Sequence, residues 1–193
     1  PWRGGTSEME NLQALKEDTT NKLSQLTEYM KVNSEGSQIH KNYGSKLEKI
    51  YKNTIYALRK PRVGFLGNSD VGKSTLINAM IGQEVLPAGW TPITSLLIYV
   101  VHTEDKPVFL GDDSVVILIN PSAQTHLDIE RLHDKNYFEE CSIESGGINI
   151  LEKYGSREGE YYMNTDATAA VVYIEAPILK LCTLLDLPGF ATS

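Results

Sequence analysis

Cysteine is scarce in this sequence, with only Cys141 and Cys182 among 193 residues. The two lie far apart, which excludes a disulfide framework and the paired spacing of a zinc site. A reducing, cytosolic setting is the weak implication. Cys182 falls inside the apolar run LKLCTLL and is expected in the core. Basic residues are outnumbered, 18 Lys and Arg against 25 Asp and Glu, for a net charge of −7. That excludes a general attraction to nucleic-acid phosphates and argues against an electrostatic membrane surface on this segment. No apolar run approaches the ~20 residues of a membrane-crossing helix. Stretches such as SLLIYVV at 95–101 have the length of a strand. The opening PWRGGTSEME has no charged-then-apolar leader and no initiator Met, as after an internal cut. Internal repeats are absent. What is present is ordinary for a soluble globular protein, 41% hydrophobic and 22% charged, enough for one sizeable core or a small domain with an appendage.

The first stretch is polar with helical spacing. Ser7 and Glu10 fit a capping box, each side chain satisfying a free backbone N–H. Met9, Leu12, Leu15, Thr19, Leu23, Leu26 and Met30 then trace one apolar stripe at steps of three and four. SEGSQ at 34–38 breaks it, and a second stripe runs from Ile39 to Leu58. Lys60 and Pro61 end that helix. The spacing predicts an antiparallel helical hairpin over residues 1–60, completed by other helices into a bundle or stalk.

Residues 61–193 change period. RVGFLG at 62–67 reads as a buried strand, GKSTLINAMIG as a helix closed by Gly82, and ITSLLIYVVH at 93–102 as a strand. PVFLGDDSVVILI reads as two short strands about a GDDS turn, and 122–134 as a helix. A mixed polar stretch over 135–167 contains a short helix near NILEKYG. Two strands, ATAAVVYIEAP and ILKLCTLLDLP, close the chain and are expected to pair antiparallel across Ala176–Pro177. Strands interleaved with helices predict an α/β fold with a mainly parallel sheet.

Three motifs carry chemistry. GNSDVGKST at 67–75 fits G-x-x-x-x-G-K-[ST] between a strand and a helix, the context a phosphate loop requires. Gly67 and Gly72 permit the backbone conformation and close approach. Successive N–H groups form a nest for phosphate oxygens, aided by the positive end of the helix. Lys73 brings charge to the β- and γ-phosphates, and Ser74 offers a hydroxyl to Mg²⁺. The second motif is Asp186-Leu-Pro-Gly189, at the end of an apolar strand, which places a carboxylate near the metal and a backbone N–H near the γ-phosphate. The third is LPAGWTPITS at 86–95, between helix and strand. A threonine there reaches Mg²⁺ and senses the γ-phosphate. Thr91 and Thr94 both qualify. Thr94 starts the strand and is preferred, and Thr91 reads as a turn residue before Pro92. Trp90 packs inward or meets a partner.

LPAGWTPITS, GNSDVGKST and the closing AVVYIEAPILKLCTLLDLPGF together resemble the GTPase domain of the dynamin superfamily, with the character of the bacterial dynamin-like proteins. The resemblance covers about residues 60–190. It implies a P-loop three-layer α/β sheet, incomplete at its C-terminus, preceded by bundle helices. It also implies hydrolysis of GTP to GDP and phosphate with Mg²⁺, coupled to self-association and membrane remodelling. Two copies would meet through their GTPase domains and bundles, with lipid contact through regions outside this chain, a cytoplasmic or peripheral membrane location, and no nucleic acid. Carried over by position, Gly67, Asn68, Ser69, Asp70, Val71, Gly72, Lys73, Ser74, Thr75, Asp186 and Gly189 hold the nucleotide. Ser74, Thr94 and Asp186 hold the metal, and Lys73, Thr94, Ser69 and Asp70 serve catalysis.

The phosphate loop departs from dynamins proper, which carry a glutamine-serine pair where this chain has Ser69 and Asp70. Ser69 is too short for the glutamine's role. Asp70 falls where some GTPases hold a catalytic K⁺ or Na⁺. The guanine-reading [NT]-K-x-D motif does not follow Asp186, after which seven residues remain. The sequence is therefore read as the N-terminal piece of a larger protein, stopping in the second switch. Two alternatives stand beside the dynamin-like reading. One is an Era- or septin-like GTPase with a helical extension. The other is a nucleotide-binding scaffold with little turnover, which Ser69 favours.

Overall fold

The computed structural model describes residues 14–15, 18–26, 28–29, 46, 49–50, 53–54, 59–68, 71–86, 96–120, 127–155, 159–161 and 166–189. It divides into two units, Pro1–Arg59 and Lys60–Ser193. In the first, every described residue before Arg59 is helical. Lys22 bonds Asp18 one turn earlier at 2.7 Å, and the Thr19 hydroxyl donates to the Leu15 carbonyl. Leu15, Leu26 and Ile50, members of the predicted stripes, are exposed. The turn and pairing of the predicted hairpin lie outside the described residues.

The second unit is built on one six-stranded sheet. Its strands are β1 (Arg62–Phe65), β2 (Leu97–His102), β3 (Val115–Leu118), β4 (Ser142–Gly146), β5 (Ala169–Ile174) and β6 (Thr183–Asp186), in the order β1-β6-β2-β5-β3-β4. The sheet is mixed, not mainly parallel. Only β1/β6 and β2/β5 run parallel; β2/β6, β3/β5 and β3/β4 are antiparallel. The closing strands β5 and β6 do run in opposite directions, but β2 lies between them and they do not pair. The 3₁₀ turn Pro177–Lys180, with Leu179 fully buried, carries the chain past β2.

Side chains alternate across the sheet and feed two cores. On one face Ile98, Val100 and Val172 pack with α1 (Lys73–Ile81) and α3 (Ile150–Gly155). On the other Tyr99, Val101 and Val171 pack against a 3₁₀ turn at Ile129–His133 and α2 (Lys135–Cys141). The result is three layers with both faces of β2 and β5 covered, which explains their unbroken apolar runs. Both cysteines are buried and free, as expected for Cys182.

Local chemistry explains where other expectations moved. Of the helix anticipated over 122–134, residues 122–126 lie outside the described residues, Ile129–His133 form a 3₁₀ turn, and an α-helix begins one residue after Asp134. The Asp134 carboxylate accepts from the backbone N–H of Asn136 and Tyr137, capping α2. The first of the two strands expected around GDDS is a 3₁₀ turn at Val108–Leu110, and β3 alone is extended. β1 is not buried: Arg62, Val63 and Gly64 are exposed. It ends the strand order, and no described strand pairs with its outer side.

Candidate phosphate and metal site

Parallel β1 and β6 bring the first two chemical motifs together. Phe65 is in register with Asp186, so both strands end at the same level and release their loops side by side. Ligands of α/β sheets bind at such carboxyl ends of strands. Gly64 helps this junction close, because a Cβ there would stand 3.2 Å from the Leu187 side chain.

From β1 the chain runs through Gly67 and Asn68 to Val71 and Gly72, the N-cap of α1. Gly72 has φ 86° and ψ 22°, a left-handed conformation that costs a side-chain-bearing residue ~1–2 kcal/mol. Its carbonyl accepts the first helical bond, from Leu76 at 2.9 Å. No side chain caps the helix start. The leading N–H groups of α1 are the groups a phosphate oxygen would satisfy. The Lys73 ammonium folds back over the loop and donates to the carbonyls of Asn68 at 2.7 Å and Gly67 at 3.2 Å. A Cβ on Gly67 would meet Val71 Cγ2 at 3.2 Å, so the loop is compact here. Thr75 and Val71 are exposed.

Ser74 and Asp186, 112 residues apart in sequence, touch. The Ser74 hydroxyl donates to Asp186 Oδ2 at 2.6 Å. Asp186 is only 8% exposed. Burial pushes its carboxyl above the ordinary value, while the Ser74 hydroxyl and the Lys73 charge pull the other way. A buried carboxylate beside a hydroxyl, short of compensating charge, is a hard-oxygen donor set of the kind Mg²⁺ takes, with water completing its shell. The two residues thus fit that ion on their chemistry. Gly189 follows three residues on, half-buried.

The structure therefore brings together Gly67, Asn68, Val71, Gly72, Lys73, Ser74 and Asp186, while Thr75 and Gly189 are placed only by following Ser74 and Asp186 in the chain. Ser69, Asp70, Trp90, Thr91 and Thr94 lie outside the described residues. Sequence reasoning passed over Asn78, a buried polar residue on α1 whose signal was its type: asparagine is a poor helix former amid apolar neighbours.

Comparison with known proteins shows the family. A family model described as the dynamin family matches residues 63–193. Mitofusin-2 of Mus musculus is 39% identical over 159 residues, covering 72% of this chain and 21% of that protein. Dynamin-like protein 2 of Campylobacter jejuni is 25% identical over 154 residues, covering 78% and 20%. An uncharacterised protein of Caldicellulosiruptor is 35% identical over 103 residues, covering 53% and 23%. The chain thus spans about a fifth of the length of these relatives. Among solved structures, a bacterial dynamin pair described as a mechanism for long-range sensing and tethering of membranes aligns over 94% of this chain and 27% of its own, at 16% identity and a TM-score of 0.49. With the family model spanning nearly all of the α/β unit and the phosphate-loop and Asp186 motifs meeting in one site, the chain belongs to the dynamin family.

Proposed function

We propose that this chain is the phosphate- and metal-binding part of a dynamin-like GTPase. The observation that carries the reading is the contact between Ser74 and Asp186, which joins the phosphate-loop motif to the D-x-x-G motif beside Lys73. In this reading Lys73 exchanges its loop carbonyls for the β- and γ-phosphate oxygens. The N–H groups at the head of α1 hold the same phosphates, and the Gly189 N–H meets the γ-phosphate. Ser74, Asp186 and Thr94 would hold Mg²⁺. The ion supplies Lewis-acid neutralisation of charge on the phosphates. Catalysis of this kind is mostly positioning and electrostatic stabilisation, so Thr94 also places the attacking water.

Self-association through GTPase domains and helical bundle, and membrane remodelling through regions outside this chain, complete the proposal, with a cytoplasmic or peripheral membrane location. Among the described residues no helix is long and apolar enough to cross a membrane. The test is GTP turnover per site as concentration of the full chain rises. Specific activity that climbs with concentration supports a pair-stimulated enzyme. Tight GTP binding with a flat, near-zero rate favours the scaffold reading, which Ser69 at the glutamine position recommends. Asp70 is proposed to hold K⁺ or Na⁺ at the phosphates. Turnover should then rise when K⁺ replaces a large inert cation at constant ionic strength, and an equal rate in both sinks that role.

A further inference from the structure

The Asn78 side chain is buried in the middle of α1 and makes three hydrogen bonds to one short stretch of backbone. Its Nδ2 donates to the Leu86 carbonyl at 2.6 Å. Its Oδ1 accepts from the Leu86 N–H at 2.9 Å and the Val85 N–H at 3.2 Å. The amide thus reads both backbone groups of Leu86, as a neighbouring strand would. Helix capping adds to this, since the Asn78 carbonyl accepts from the N–H groups of Gly82 and Gln83. One residue therefore fixes the chain from the end of α1 to Leu86. Leu86 is itself 2% exposed, locked in the core. In sequence the next residues are 87–95, the stretch holding Thr91 and Thr94, and the chain is buried again at Leu96.

Asn78 stands four residues after Ser74, which puts the two on one face of the helix, a turn apart. The phosphate helix thus carries the Ser74 hydroxyl at its head and grips the entry of the 87–95 stretch one turn behind it. We propose that Asn78 is a positioning residue for GTP hydrolysis: it sets the distance between the Mg²⁺-facing end of α1 and the root of the threonine-bearing segment. This rests on the GTPase reading above. Core packing alone does not account for an asparagine, because an apolar side chain would fill the same volume without a desolvated amide. Three satisfied bonds make the amide specific to this backbone.

The experiment compares parent, Asn78→Ala, Asn78→Asp and Lys73→Ala in the full chain. It measures kcat, GDP affinity, Mg²⁺ half-activation and melting temperature. Asn78→Ala should lower kcat by ~10–100-fold, the scale of a small misplacement of reacting groups. It should raise the Mg²⁺ needed for half-activation and leave GDP affinity within about twofold. Asn78→Asp keeps the acceptor for both N–H groups but faces the Leu86 carbonyl with a second oxygen, which must carry a proton to donate. Its kcat relative to the parent should climb as pH is lowered from alkaline to mildly acid, read only at pH values where its melting temperature shows the variant folded, because a buried carboxylate also weakens the fold as pH rises. If kcat, GDP affinity and melting temperature fall in step, or if Asn78→Asp keeps a constant ratio to the parent, the positioning role is overturned. If the parent neither binds GTP nor responds to Lys73→Ala, the GTPase reading fails first and this role falls with it.

Discussion

Asp186 gives up most of its water to lie against Ser74, and the consequence is a pH dependence with a definite sign. Its folded-state carboxyl titrates above the ordinary 3.8. The folded protein therefore keeps this proton where the unfolded chain has released it. Stability of the nucleotide- and Mg²⁺-free protein falls as pH rises from the ordinary carboxylate range through the folded value, and is level beyond it. Asp186→Asn is nearly isosteric and never charges. It should raise the melting temperature of that form near neutral pH, leave it close to the parent at acid pH, and remove Mg²⁺-dependent turnover. Calorimetry across pH checks this, and an unchanged melting temperature near neutrality would mean that Ser74 and Lys73 fully compensate the burial. The meeting of Lys73, Ser74 and Asp186 was legible from residue types and spacing, because both motifs stand at the ends of apolar strands that pair in parallel. Asn78 was not readable, because its partners are backbone groups, and backbone groups leave no trace in side-chain patterns.

Helix α1 shows how an element is bounded by backbone chemistry at both ends. It starts after Gly72 and stops at Gly82, where φ is 72° and the N–H returns to the Asn78 carbonyl. A Cβ on Gly82 would meet nothing within 4 Å, so the cost of Gly82→Ala is conformational alone. That cost is ~1 kcal/mol, or about 2–4 °C in melting temperature for a chain of this size. Thermal denaturation checks it, and a neutral result would mean that the helix end unwinds to accept the residue. Gly82 was visible in sequence because only glycine suits that backbone. Other elements were hidden by the same logic. β4 reads as polar SIESG because it lies at one end of the strand order and alternates half-buried with exposed residues. The β5–β6 connection looked like a hairpin, since an apolar strand pattern says which faces are covered and nothing about which strand lies alongside.

Across the whole α/β unit, burial grades from the centre of the sheet to its margins. β2 and β5 are covered on both faces and paired on both edges, whereas β1 is exposed and ends the strand order. Backbone amide exchange should follow that gradient, slowest in β2 and β5 and fastest in β1 and β4. Exchange read by mass spectrometry checks it. Protection of β1 equal to that of β5 would mean that its outer edge is covered in solution. The pairing of β1 with β6 also has a mechanical side. The two strands run parallel, so a pull applied at Lys60 and at Gly189 draws them in opposite directions along their length. Their hydrogen bonds then share the load in shear and fail together, where a perpendicular pull would unzip them one at a time. Because the phosphate loop leaves one of these strands and Asp186 ends the other, tension along this path bears directly on the spacing of the Lys73, Ser74 and Asp186 groups.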